Sequence, residues 1–216
     1  MPSSEPAAPG ALPPRLGREF FDRPAAEVAP DLVGCILLHE GVGGRIVEVE
    51  RYEQGDAASH SFRGPTPRAA VMFGPPGHAY VYRSYGMHWC MNVVCDGEGT
   101  GSAVLVRALE PLYGLERMRA RRGGVPNREL CAGPGRLTQA LAIDDTLNGA
   151  PLLAGPLAVH ARPVPVELVS GPRVGISREV ERPWRFGLAG SPFVSRPFPG
   201  DRTGSRRPSA ARARGR

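Results

Sequence analysis

Apolar and polar positions along the chain change their period several times, and each change predicts an element. Between Asp22 and Gly34 the apolar residues Ala25, Ala26, Val28, Ala29 and Leu32 recur at helical spacing, with Asp22 placed to cap, Pro24 in the first turn and Pro30 predicting a break. CILLHE (35–40) and GRIVEVERY (44–52) then read as consecutive strands joined around Gly41, Gly43 and Gly44. A loop rich in glycine and proline covers 53–78, with one helical turn predicted near 67–73. The most aromatic stretch, AYVYRSYGMHWCMNVVCD (79–96), predicts two strands around a turn at Gly86. SAVLVRALEP (102–111) adds a strand, LYGLERMRARRG (112–123) an amphipathic helix stopped by Gly123, and ELCAGPGRLTQALAI (129–143) a helix starting near Pro134. Short strands and turns are predicted in 152–163, 166–177 and 182–196. Strands outnumber strong helices and no internal repeat is present. The expected class is α+β: a single domain with a curved, largely antiparallel, barrel-like β-sheet surrounded by helices.

Composition sharpens this outline at both ends. Residues 1–17 are dominated by proline, alanine, serine and glycine and predict a disordered leader, so the folded domain is expected over 18–200. Residues 201–216 predict a basic disordered tail; 206–216, RRPSAARARGR, hold five arginines and no acid. Most of the net charge of +6 sits in that tail. It could hold an anionic polymer loosely or serve solubility alone.

All 27 basic residues are arginine, so chemistry through a lysine imine is excluded. The four cysteines, Cys35, Cys90, Cys95 and Cys131, form no C-x-x-C pair, and the chain carries no signal peptide and no apolar run of transmembrane length. These features predict an intracellular protein with reduced core thiols, without a metal or cofactor and without a membrane partner.

The candidate chemistry lies in RIVEVERYEQGDAASHSF. Side chains two apart on a strand share a face, which puts Glu48, Glu50 and Tyr52 together, with His60 eight residues beyond the tyrosine. The residues alone leave two readings open: a solvated strand face, or one wall of a pocket in which either carboxylate could act as a base. Arg107 in the later strand could likewise pair with Glu110 or Glu48.

RIVEVERY with its distal histidine, TPRAAVMFGPPGHAYVYRSYGMHWCMNVV, VLVRALEP, ELCAGPGRLTQALAI and the terminal RPWRF and GSPFVSR resemble, in the same order, the alkyladenine (3-methyladenine) DNA glycosylases. The resemblance covers roughly 18–198. It implies a monofunctional hydrolase of base excision repair that flips alkylated or deaminated purines out of double-stranded DNA and cuts the N-glycosidic bond with a Glu-activated water. A monomer is implied, located in the cytoplasm at the nucleoid if the source is bacterial.

The same resemblance assigns roles to positions. It makes Glu50 the general base, since the family's acid lies two residues before the tyrosine, and Arg107 a strand arginine near the base of the pocket that helps to position the water or a nearby phosphate. Tyr52, His60 and Tyr82 would enclose the base, because aromatic faces stack well on electron-deficient alkylated purines. Asn92 would reject the 2-amino group of guanine. Tyr85 would be the wedge that fills the gap left by the flipped nucleotide. Gly133 and Arg136 at a helix start, with Arg63, Arg68 and Arg83, would meet the DNA backbone.

Overall fold

The computed structural model describes residues 11–200. Its first hairpin pairs β1 (Ile36–His39) with β2 (Val42–Tyr52), His39 lying opposite Val42. Only Glu40 and Gly41 remain for the turn, and both have positive φ, 49° and 74°. Two such residues match the twist of the flanking strands. Gly43 and Gly44, expected in the turn, instead lie inside β2. A Cβ on Gly43 would stand 1.9 Å from the Leu37 carbonyl oxygen, and one on Gly44 1.9 Å from that of Glu110. These glycines let three strands crowd together.

The remaining strands are β3 (Ala79–Ser84), β4 (His88–Cys95), β5 (Ser102–Tyr113), β6 (Leu157–His160), β7 (Leu168–Gly171) and β8 (Arg185–Leu188). They form one antiparallel, curled half-barrel in the order β3-β4-β5-β2-β1-β6. β8 joins the same edge of β2 as β1, but further along, opposite Glu48, Val49 and Glu50, and β7 pairs with β8. The α+β expectation therefore holds.

Helices cover one face. α2 (Ala25–Leu32), α3 (Leu115–Arg122) and α5 (Pro134–Leu141) bury Val28, Ala29, Leu32, Met118, Leu137 and Leu141 in the main core together with Val49, Val104 and Val106 of the sheet. Two short helices, α1 (Arg18–Phe21) and α4 (Asn127–Leu130), complete the set. The four cysteines are buried free thiols, and burial pushes Cys35 up to about 11 and Cys131 up to about 12.

Two helix boundaries differ from expectation. Asp22 closes α1 and does not cap α2, and α2 runs through Pro30. A proline inside a helix costs about 3 kcal/mol. Complete burial of Val28 and Leu32 returns about 1.5–3 kcal/mol each and outweighs it. β5 continues past Pro111 to Tyr113, so α3 starts only after Gly114.

Within the expected leader, Leu16 N–H donates to the Val159 carbonyl at 2.9 Å and Arg15 Nε to that of Leu152 at 2.7 Å. The chain is thus tied to the edge beside β6 before Arg18. The first ten residues of the expected leader and the tail 201–216 lie outside the described residues. Among the described residues no helix is long and apolar enough to cross a membrane, and no group of three His, Cys, Asp or Glu is placed to hold a metal.

Candidate active site

Two irregularities in the pairing of β2 with β5 shape the site. Ile46 faces Leu109, Glu48 faces Ala108 and Val49 faces Val106, so Val47 on one strand and Arg107 on the other have no partner in the register. Such bulges re-aim side chains. Val49 enters the core while Glu48 and Glu50 turn to the other face, where both meet Arg107.

The face is not solvated, since Glu48 and Glu50 are both 0% exposed. Glu48 Oε1 accepts from Arg107 Nε at 3.0 Å, Arg185 Nη1 at 3.2 Å and Ser195 Oγ at 2.8 Å, and Glu48 Oε2 accepts from the Ser195 backbone N–H at 2.5 Å. Three of these four donors crowd onto Oε1 and one reaches Oε2, and of the three residues that supply them only Arg107 also lines the adjoining cleft.

Glu50 differs. Among the described residues, three donors reach it: Val174 N–H on Oε1 at 2.7 Å, and the Tyr52 hydroxyl at 2.9 Å and Arg107 Nη1 at 3.2 Å on Oε2. A carboxylate oxygen accepts about two hydrogen bonds, so one position is left on Oε1. Burial raises the Glu50 pKa above the ordinary carboxylate value, opposed by the Arg107 charge and the two neutral donors. Burial also raises the Tyr52 phenol, so it stays a donor to Glu50.

Tyr52, Arg107 and Val174 each touch Glu50 and also line a cleft of about 750 Å³. Glu50 itself lies just behind that lining. His60, Tyr82, Tyr85, Asn92, Arg68 and Arg83 line the same cleft, so the fold brings together most of the residues singled out in the sequence.

His60 and Tyr82 meet edge to face with centroids 4.6 Å apart, and His60 Nδ1 is 2.9 Å from the Tyr80 hydroxyl. Tyr80, to which the resemblance gives no role, therefore braces a cleft residue and lines the cleft itself. Burial lowers the His60 pKa to about 4, with the Arg68 charge adding to the effect, so its ring is neutral at pH 7. The Asn92 side-chain amide donates to the Tyr80 carbonyl at 2.9 Å, which fixes the group.

Tyr85 occupies the tip of the β3–β4 hairpin with φ 48° and is 81% exposed. Met87, not singled out in the sequence, is 75% exposed beside it. Gly133 and Arg136 line a smaller hollow that shares His88 and Pro134 with the cleft. There α5 packs so closely on the hairpin that a Cβ on Gly135 would stand 2.6 Å from the His88 ring. Arg63 is exposed and lines neither space.

Sequence reasoning missed the support behind these residues. Ser195 and Arg185 grip Glu48 from 147 and 137 positions away. Arg173 and Asp56 form an ion pair with both side chains fully buried, and Arg173 lies 4.7 Å from the Tyr52 ring centroid. That pair ties the loop after Tyr52 to the wall at 174–178. No local period marks such partners; only the arginine of RPWRF and the serine of GSPFVSR stand within stretches that carry the resemblance.

A buried, arginine-paired carboxylate beneath an aromatic cleft is the arrangement of a binding site that suits a flat, ring-shaped group. The family model for methylpurine-DNA glycosylase matches residues 19–192. A protein of Rhodopseudomonas palustris (strain HaA2) named "Putative 3-methyladenine DNA glycosylase" is 61% identical over 191 residues, 88% of this chain and 95% of the relative. Similar proteins carrying the same name occur in Nitrosospira multiformis, 56% identical over 82% of this chain and 92% of the relative, and in Rhizobium meliloti, 56% identical over 83% and 96%. The chain belongs to the methylpurine-DNA glycosylase family and is a DNA-repair hydrolase acting on N-glycosyl bonds.

Proposed function

We propose that this chain removes alkylated or deaminated purines of the 3-methyladenine, hypoxanthine and ethenoadenine class from double-stranded DNA, working inside the cell as a monomer. The names of its relatives support the first of these substrates. A glycosidic bond inside a stacked duplex is out of reach, so the nucleotide has to leave the helix and enter the cleft. Tyr85 then fills the gap, and Tyr52, His60 and Tyr82 enclose the base. A cationic methylated purine gains most from such faces. Asn92, pinned to the Tyr80 carbonyl, cannot move aside for the 2-amino group of guanine.

The observation that carries the reading is that all three donors to the buried carboxylate of Glu50, on Val174, Tyr52 and Arg107, belong to residues that line the cleft, with one acceptor position left on Oε1. A water there would give its proton to Glu50 as it attacks C1′, while the carboxylate stabilises the positive charge developing on the sugar. Glu48 is held by Arg185 and Ser195, which do not line the cleft, and is not the base. Arg107 offsets the charge of Glu50 and opposes the upward shift that burial imposes, which favours the ionised form. With no lysine in the chain, the product is an intact strand bearing an abasic site.

Glu50→Gln tests this directly. Release of purines from dimethyl-sulfate-treated duplex DNA should fall by a factor of about 10²–10⁴ while affinity for the methylated duplex persists. Near-normal release by Glu50→Gln would place the base elsewhere.

A further inference from the structure

The polar cluster around Glu48 joins three parts of the chain: Arg107 on β5, Arg185 on β8, and Ser195 in the strap that follows β8. Ser195 is used three times. Its N–H and Oγ donate to Glu48, and its Oγ accepts from Arg107 Nη2 at 3.3 Å. The Arg107 guanidinium is therefore held at all three nitrogens: Nε on Glu48, Nη2 on Ser195 and Nη1 on Glu50.

A guanidinium is a rigid plane, so fixing two nitrogens fixes the third. Free of Glu48 and Ser195, the Arg107 side chain would regain rotamer entropy and leave Nη1 to wander. Two carboxylates and two guanidiniums, Glu48, Glu50, Arg107 and Arg185, also balance in charge within this buried space. Arg185 answers Glu48, which leaves Arg107 to answer Glu50.

We infer that Glu48 and Ser195 are positioning residues for excision: they clamp Arg107 from behind so that its Nη1 stays on Glu50 and its face stays in the cleft wall. This inference rests on Glu50 being the base. It assigns the strap around Ser195 a part in turnover, although Ser195 lies 88 residues from Arg107 and 147 from Glu48 and is absent from the cleft lining.

The test uses the full chain in excess over dimethyl-sulfate-treated duplex DNA and separates the maximal release rate from the half-saturating protein concentration. Ser195→Ala should lower the maximal rate roughly tenfold and leave half-saturation within about twofold, because the loss is of alignment and not of grip on the DNA. Ser195→Thr, which keeps the hydroxyl, should retain at least about half of the wild-type rate. Glu48→Gln should lower the rate further and shift the acid limb of the rate profile to lower pH, since it removes a negative neighbour of Glu50. The charged and titratable groups facing Glu50 are Arg107, Arg173, Arg185, Tyr52, Cys90 and Glu48.

Wild-type rates and an unmoved limb in Ser195→Ala and Glu48→Gln, with Glu50→Gln inactive, would overturn the clamp and leave Glu50 as the base. A lowered melting temperature at an unchanged rate would overturn it equally. So would failure of Ser195→Thr to restore what Ser195→Ala loses. An active Glu50→Gln would instead overturn the assignment of the base, whatever Ser195 does. Should Glu48→Gln not fold, the two Ser195 variants decide the matter alone.

Discussion

The floor of the cleft and the tip of the hairpin at its rim are built on opposite terms. At the floor Glu48, Glu50 and Arg107 are buried, and each carboxylate and the guanidinium meet partners from several different elements. At the tip Tyr85 and Met87 are 81% and 75% exposed, on a turn whose left-handed φ values at Tyr85 and Gly86 hold the side chains out. Groups that carry out a reaction gain from being fixed in a water-poor setting before substrate arrives. Groups that replace a stacked base gain from having no partner until DNA supplies one.

The largest expected effect would break the floor. Arg173→Met leaves Asp56 charged and buried without its pair, and removing one partner of such a pair costs about 3–5 kcal/mol. Chemical denaturation should show that loss, whereas Tyr85→Ala should leave the denaturation midpoint unchanged. Equal stability of Arg173→Met and wild type would mean that the floor is not fixed before substrate arrives.

The second effect belongs to the rim. Base–aromatic stacking is worth about 1–3 kcal/mol, so Tyr85→Ala should weaken excision from duplex DNA roughly ten- to a hundredfold. The same substitution should matter little on a single strand, where no stack has to be opened. Equal losses on both substrates would remove the wedge role.

A third measurement uses pH to separate the floor from the cleft wall at His60. The folded pKa of Glu50 lies above the ordinary 4.5 because burial penalises the charge. Between 4.5 and that folded value the native state binds more protons than the unfolded chain, so stability falls as pH rises through the window, while release rises as the base ionises. His60 acts in the opposite sense. Its folded value near 4 lies below the ordinary 6.5, so stability rises with pH across 4 to 6.5. Melting curves of wild type, Glu50→Gln and His60→Gln over pH 4–7 should show these two slopes with opposite sign. A release rate already flat at pH 4.5 would contradict the burial assigned to Glu50.

The smallest effect concerns DNA binding beyond the rim. Removing 206–216 takes away five arginines and should make the logarithmic salt dependence of duplex affinity shallower by about 0.9 for each phosphate that the tail neutralises. An unchanged slope would make the tail a bystander.

Local pattern carried a large part of this protein. Alternation and turn residues placed β2, β3, β4 and β5 closely, and the aromatic run at 79–96 became the hairpin that supplies Tyr82, Tyr85 and Asn92. Pattern failed where packing outweighed propensity, as at Pro30 inside α2 and at Leu112 and Tyr113, expected in a helix and found at the end of β5. It also failed to separate Glu48 from Glu50. The two acids have the same chemistry and share a strand face, and they differ only in who donates to them: Ser195 and Arg185 on one side, Val174 and Tyr52 on the other.

By itself, then, the sequence determined the main strands, a turn at Gly41, the cluster of aromatic residues and the exclusion of lysine chemistry, because these depend on residues close in the chain or on composition alone. The tertiary structure alone decided which carboxylate is held by residues of the cleft lining, since that depends on donors arriving from more than a hundred residues away, brought in by the pairing of β8 with β2 and by the strap that follows it.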